Sequence, residues 1–197
     1  MKKYIMTFVL TIATSALLLS GCSSKNSTVP DSDSSQNASD NSNELQEFKP
    51  PVSFEAVTID GETISSDILS DAKLTMINVW ATYCNPCLKE MPSLGEIAAS
   101  YAPEDFQILG IISDVTITSD EKTLTFAQEL IDKTKANYRH LLLNEDLYYG
   151  MLLEVSAVPT TFFINSDKQI VDTIIGAMKK SDWEAKIEEL LSKETNK

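Results

Sequence analysis

The apolar positions of the chain change period several times, and each change marks an element. Residues 54–59 alternate, Asp60-Gly61 is a turn signal, and Thr63-Ile64 begins a second short run, so an N-terminal β-hairpin is predicted. Ser65 is placed to cap a short helix over 66–69. Residues 74–80 are apolar and β-branched enough for a buried strand, and the pattern beyond Pro86 turns helical as far as about residue 101. Pro92 removes a backbone donor inside that helix, which predicts a kink.

Residues 106–113 read as the next buried strand. A helix follows over 120–135, with Leu124, Ala127, Leu130 and Ile131 on one face, then a short strand over 138–143 and a short helix over 146–153. Residues 160–164 and 169–175 form two strands of a hairpin turned by Asn165-Ser166-Asp167-Lys168. Ser181 is placed to cap a closing helix whose inner face is Trp183, Ile187, Leu190 and Leu191. Strands alternating with helices, then a hairpin, then a helix predict an α/β sandwich with a mixed sheet.

The first residues change the picture. Lys2 and Lys3 precede an apolar stretch, residues 5–19, that is short for a membrane span. It ends in Leu19-Ser20-Gly21-Cys22, which resembles the lipobox of a bacterial lipoprotein signal, so residues 1–21 are expected to be removed and Cys22 acylated. Residues 22–48 are rich in Ser, Asn and Asp and are expected to form a flexible tether, because so few apolar groups cannot offset the entropy of ordering. The folded domain is then expected over 49–197, exported, lipid-anchored and on the outer side of a cell membrane.

A net charge of −13 argues against nucleic acid and against adhesion of the domain to anionic lipid. The cysteine count sharpens the chemistry. With Cys22 taken by lipid, Cys84 and Cys87 remain, so disulfides are not the framework of the fold. The two lie at the strand-to-helix junction. Unpaired backbone N–H groups and the helix dipole there favour a thiolate at the first sulfur, and the second, one turn along, is within reach to resolve a mixed disulfide. As a staple, a loop this short would stabilise by only about 2 kcal/mol. As half of a zinc site, the pair lacks partners, because His140 is the only histidine, and it reads as a structural or surface residue. A redox-active Cys84–Cys87 pair without metal or further cofactor is the reading that remains.

The run Trp80-Ala81-Thr82-Tyr83-Cys84-Asn85-Pro86-Cys87 with Lys89-Glu90-Met91-Pro92, together with Val158-Pro159-Thr160-Thr161-Phe162, resembles the thioredoxin superfamily. Within it the chain looks like the membrane-tethered, extracytoplasmic thiol–disulfide oxidoreductases of the TlpA/ResA type over roughly residues 50–194. The resemblance implies a thioredoxin-like three-layer sandwich with a mixed central sheet, an N-terminal hairpin and an inserted strand–helix. It also implies that Cys84 attacks, that Cys87 resolves, and that Pro159 is a cis-proline whose loop offers the Val158 backbone to an extended client. Trp80, Tyr83, Asn85 and Pro86 complete the expected client-binding surface and shield the disulfide, although Trp80 can equally be core.

Glu90 matches the family's active-site glutamate, a candidate base for Cys87. It reads equally well as a solvated acid near a helix N-terminus, in which case replacing it affects stability little. Asn78 stands where cytoplasmic thioredoxins carry a buried aspartate and cannot titrate. Lys168 stands where the family often has glycine, which affects the turn alone. The implied partners are disulfide-bearing exported proteins, such as apocytochrome c or methionine sulfoxide reductase, and a membrane thiol electron donor, with the chain working as a monomer and net reductant. A disulfide-forming oxidase, a peroxidase of peroxiredoxin type and a copper-delivery module are the alternatives. The last wants a CxxxC spacing that the chain lacks.

Overall fold

The structure is a computed structural model describing residues 50–195, so the expected signal segment, Cys22 and the 22–48 tether lie outside the described residues. The hairpin is formed by β1, Glu55–Val57, and β2, Thr63–Ser65. Gly61 at φ 87° supplies the left-handed residue that its turn needs. Ser65 caps a 3-10 turn, Ser66–Ser70, by accepting from the Asp67 N–H at 3.2 Å.

Five further strands build the central sheet: β3 (Leu74–Trp80), β4 (Phe106–Thr116), β5 (Arg139–Leu143), β6 (Thr160–Asn165) and β7 (Ile170–Ile175). Their order is β5-β4-β3-β6-β7. The first three run parallel, while β6 and β7 are antiparallel to their neighbours, so the sheet is mixed as expected. Every residue of β3 is buried, the mark of a central strand covered on both faces.

The connections β3 to β4 and β4 to β5 step in the same direction. Right-handed crossovers therefore put helix α1 (Asn85–Ala98) and helix α2 (Glu121–Thr134) on one face, where helix α4 (Lys180–Thr195) joins them. Alternation along β3 divides the core accordingly. Leu74, Met76 and Trp80 face the helices, with Leu94, Ile97, Trp183 and Ile187 among their neighbours. Ile77 and Val79 pack on the opposite side against Phe54, Ile64, Leu69, Met151 and Leu152. That second layer comprises the hairpin, the 3-10 turn, and helix α3 (Glu145–Leu147), which continues as a π-helical turn over Tyr148–Leu152. Thr58 bridges to Leu141, and the Ile59 N–H donates to the His140 carbonyl at 2.8 Å, joining the hairpin to β5.

Several local expectations change. Helix α1 runs through Pro92 as one element and stops at Ala98, three residues early; the proline lies on its exposed face. Strand β4 is longer than its apolar core because it continues past a register irregularity beyond Ile112. Helix α4 begins at Lys180, so Ser181 lies inside its first turn rather than capping it. The Asp182 and Trp183 N–H groups bond the Lys179 carbonyl, and the Ser181 hydroxyl turns to Asp182. Lys168 adopts the left-handed conformation itself, at φ 60°, with its ammonium held 2.6 Å from Asp67.

Candidate active site

The site lies at the end of β3. The Cys84 N–H donates to the Ala81 carbonyl at 3.0 Å, closing a tight turn that delivers Cys84 to the N-cap of α1. Its Sγ accepts from the Cys87 N–H at 3.3 Å, the interaction that a thiolate there would use most strongly. Cys84 and Cys87 are disulfide-bonded with Cα atoms 5.3 Å apart. Cys84 is 4% exposed and Cys87 fully buried, so the first sulfur is reached through a narrow opening rather than standing free. Once the pair is reduced, Cys84 is expected to be alkylated at least about tenfold faster than Cys87 at neutral pH, as followed by peptide mass; equal rates would reverse the assignment of roles.

Val158 packs against the cluster containing both cysteines, and the Val158–Pro159 peptide is cis. The Pro159 carbonyl accepts from the Gly176 N–H at 2.8 Å, and the Thr160 hydroxyl donates to the Ala157 carbonyl at 2.8 Å, which tie the loop to the sheet. Asn85 and Pro86 are exposed beside the disulfide. Tyr83 is 73% exposed, and with Ser113, Leu143, Tyr148, Leu152 and Val158 it lines a cavity of about 260 Å³.

Trp80 does not belong to that surface. It is fully buried, and its indole N–H donates to His140 Nδ1 at 3.1 Å. His140 Nε2 then donates to the Ala136 carbonyl at 3.0 Å, so the ring is neutral and structural. Burial pushes this imidazole down to about 4, against the pull of the Ala136 carbonyl. Gly110 makes the arrangement possible, since a Cβ there would stand 2.2 Å from His140 Nδ1.

Glu90 is buried at 3% exposure, which removes the solvated-acid reading. Its position on α1 points it beneath the active site, where one oxygen accepts from Asn78 Nδ2 at 3.2 Å and the other from the Met178 N–H at 3.1 Å and Trp183 Nε1 at 3.3 Å. Burial pushes the carboxyl up to about 7 even though these three donors favour its ionised form. Asn78 also donates to the Thr161 hydroxyl at 3.0 Å, linking β3 to the strand that follows the Pro159 loop. Its Oδ1 and the Tyr138 hydroxyl are buried without a hydrogen-bond partner among the described residues. Burial raises the Tyr138 phenol, and the Glu90 charge raises it further.

Sequence patterning points to the cysteines, and the family resemblance points to the Pro159 loop, but neither shows what surrounds them. Met178 and Trp183 reach Glu90 from 88 and 93 residues away, and no local signal marks that. Asp114 was legible in principle, as the first charge after the apolar run of β4 and so near the carboxyl end of a parallel strand. It accepts from the Thr82 N–H at 3.0 Å and from the Thr82 hydroxyl at 2.5 Å.

The family model for Redoxin matches residues 40–191. The chain is 29% identical over 146 residues to a thioredoxin-like protein, YneN, of Bacillus subtilis, covering 73% of this chain and 80% of that one. It is 25% identical over 150 residues to the thiol–disulfide oxidoreductase ResA of Bacillus anthracis, covering 74% and 79%. The crystal structure of an exposed lipoprotein thioredoxin of Streptococcus pneumoniae superposes with a TM-score of 0.58 at 24% identity, covering 70% of this chain and 98% of that one.

Proposed function

The chain belongs to the Redoxin family and is an extracytoplasmic thiol–disulfide oxidoreductase of thioredoxin-like fold, and on that premise we propose that it acts as a lipid-anchored reductase of exported proteins. The observation that carries the chemistry is the Cys84–Cys87 disulfide at the N-cap of α1, with one sulfur at the surface opening and the other buried. In the reduced protein the Cys84 thiolate attacks one sulfur of a client disulfide. A mixed disulfide forms and the client's other sulfur leaves as a thiolate. Cys87, after giving up its proton, attacks Cys84 Sγ. The Cys84–Cys87 disulfide forms, the second client thiolate leaves, and two electrons have passed to the client. Glu90 takes that proton in this reading, which its position three residues along the same helix from Cys87 and its carboxyl at about 7 support.

The client lies extended across Val158 and the cis-Pro159 loop, with Tyr83, Asn85 and Pro86 on the other side of the sulfur. The cavity beside them takes an apolar side chain, for its lining carries no charged residue on a chain of net charge −13. The lipobox-like Ser20-Gly21-Cys22 places the domain on a tether at the outer face of the membrane, within reach of a thiol donor there. Among the described residues no helix is long and apolar enough to cross a membrane. The pneumococcal protein of similar fold is itself described as an exposed lipoprotein, which supports this placement.

The deciding measurement is the reduction potential of the pair, obtained by equilibrating the full chain in thiol buffers and counting the two cysteines by peptide mass. A value near about −270 mV is expected of a reductant, whereas one near about −120 mV would make the protein an oxidase.

A further inference from the structure

Two consecutive residues at the rim end of β4 grip the segment that leads into the cysteines. The Ser113 hydroxyl donates to the Trp80 carbonyl at 3.0 Å. Asp114 Oδ1 accepts from the Thr82 N–H at 3.0 Å, and Oδ2 accepts from the same N–H at 3.2 Å and from the Thr82 hydroxyl at 2.5 Å. Thr82 is the second residue of the turn whose fourth is Cys84. Both donors are neutral, and among the described residues no Lys or Arg pairs with Asp114, so its charge is not offset locally.

The hydrophobic cluster that contains Cys84 is otherwise apolar in its contributions from β4 (Ile112, Val115), α2 (Ala127, Ile131), β5 (Leu142) and Val158. The titratable or charged groups near the rim are Asp114, Tyr83 with Tyr148 in the cavity these two share, Cys87, and Lys89 on the outward side of α1; Glu90 lies buried beneath, and Tyr138 packs against the cysteine cluster. The first turn of α1 carries no acid, whereas Asp114 is hydrogen-bonded to Thr82, two residues before the attacking sulfur's own residue.

We propose that Asp114 is a positioning residue that holds the Thr82 turn presenting Cys84 and, through its charge, opposes the Cys84 thiolate, biasing the pair toward giving up electrons. The two effects separate. The hydrogen bonds fix where the sulfur sits. The charge works against the helix N-terminus, which would otherwise stabilise the thiolate and make the dithiol a poorer reductant. This inference rests on the reductase reading above and supplies a physical device for it.

A unit charge bonded to the turn that ends in Cys84, partly screened by water, is expected to change the thiolate equilibrium by roughly two- to tenfold. The test is Asp114→Asn in the full chain. The pH midpoint of Cys84 alkylation and the dithiol-to-disulfide ratio in glutathione buffer are both read by peptide mass, the latter at a pH above the wild-type midpoint. The expected result is a lower midpoint and a dithiol-to-disulfide ratio raised about two- to tenfold. Thr82→Val keeps the charge and loses the hydroxyl bond, and its midpoint is expected not to fall. An unchanged or raised midpoint in Asp114→Asn overturns the proposal, as does an equal fall in Thr82→Val, which would assign the effect to lost hydrogen bonds. Asp114→Ser, an uncharged acceptor, decides in the same way if the asparagine variant fails to fold. Wild-type protein standing mostly as dithiol in balanced glutathione buffer overturns the reductase reading instead, whatever Asp114 does.

Discussion

Replacing Cys87 by serine is expected to leave a protein that attacks client disulfides and cannot release them. Cys84 keeps its place at the N-cap of α1 and its access to the surface, so the first exchange proceeds. The buried sulfur that would end it is gone. Mixed disulfides should accumulate on Cys84 and collapse on adding dithiothreitol, as seen by non-reducing electrophoresis with peptide mass. Cys84→Ser removes the nucleophile, and turnover should fall by on the order of a thousandfold or more with no trapped species. Release of client by Cys87→Ser at the wild-type rate would mean that an external thiol resolves the intermediate, and the pair would not be working as a couple. The folded state should tolerate both changes, because a bridge closing so short a loop stabilises by only about 2 kcal/mol.

The second large effect is on stability and depends on pH. The folded-state value of Glu90, about 7, lies above its ordinary value of 4.5, so between those limits the native protein holds a proton that the unfolded chain has lost. Stability conferred by the neutral carboxyl is full below about 4.5 and declines as pH rises through 7, by roughly 3 kcal/mol. His140 has the opposite sign. Its folded value of about 4 lies below 6.5, so unfolding takes up a proton, and stability is lost as pH falls from about 6.5 to 4. The two nearly cancel between about 4.5 and 6.5. Wild-type stability should therefore be flat there, fall by less than about 1 kcal/mol between about pH 6.5 and 7.5, and hold above that.

Glu90→Gln should remove the alkaline fall and uncover the His140 slope, giving a protein whose stability rises up to about pH 6.5 and then holds. The amide can be accommodated because Asn78 Oδ1, buried and without a partner, becomes an acceptor if the Asn78 amide turns over. Urea unfolding of the oxidised wild type and variant at pH 5 and pH 8 tests this. Equal pH slopes in the two proteins would mean that Glu90 is not the titrating group. The same variant should flatten the pH profile of client reduction between about 6 and 8 if Glu90 takes the Cys87 proton. The expectation drawn from the sequence, a small stability effect from an exposed acid, fails because Glu90 is covered by α4, whose Trp183 bonds it.

That failure shows what a sequence carries and what it does not. Leu74–Trp80, the helix opened by Asn85-Pro86 and the β-branched and aromatic run through Phe162 and Phe163 all speak through local pattern, and the fold followed from them. Cys84 and Cys87 were legible because a CxxC at a strand-to-helix junction admits few other uses, and Pro159 through the resemblance carried by its flanking motif. The buried polar contacts were not, since Glu90 meets Asn78 from a neighbouring strand and Trp183 from the last helix, and burial of an acid leaves no trace in periodicity. Trp80 was left open between surface and core for a related reason. A tryptophan beside a reactive pair reads as a docking surface, but its indole N–H had a partner in His140 across the sheet. Gly95 was equally silent, although a Cβ there would stand 2.2 Å from the Lys135 carbonyl oxygen, so only glycine lets α1 approach the end of α2.

The hairpin that bridges Thr58 to Leu141 has a consequence for the company this protein keeps. Proteins awaiting the rearrangement of their disulfides are incompletely folded and expose extended segments, and a sheet margin with open N–H and C=O groups recruits such segments indiscriminately into aggregates. Here one margin, β5, is engaged by residues 58–59. The other, β7, carries Asp172, tied to Lys186 at 3.2 Å, a charge that discourages strand addition. On the proposed docking mode, an extended client segment meets the Pro159 loop rather than an open sheet margin, which favours exchange at the sulfur over addition as a strand.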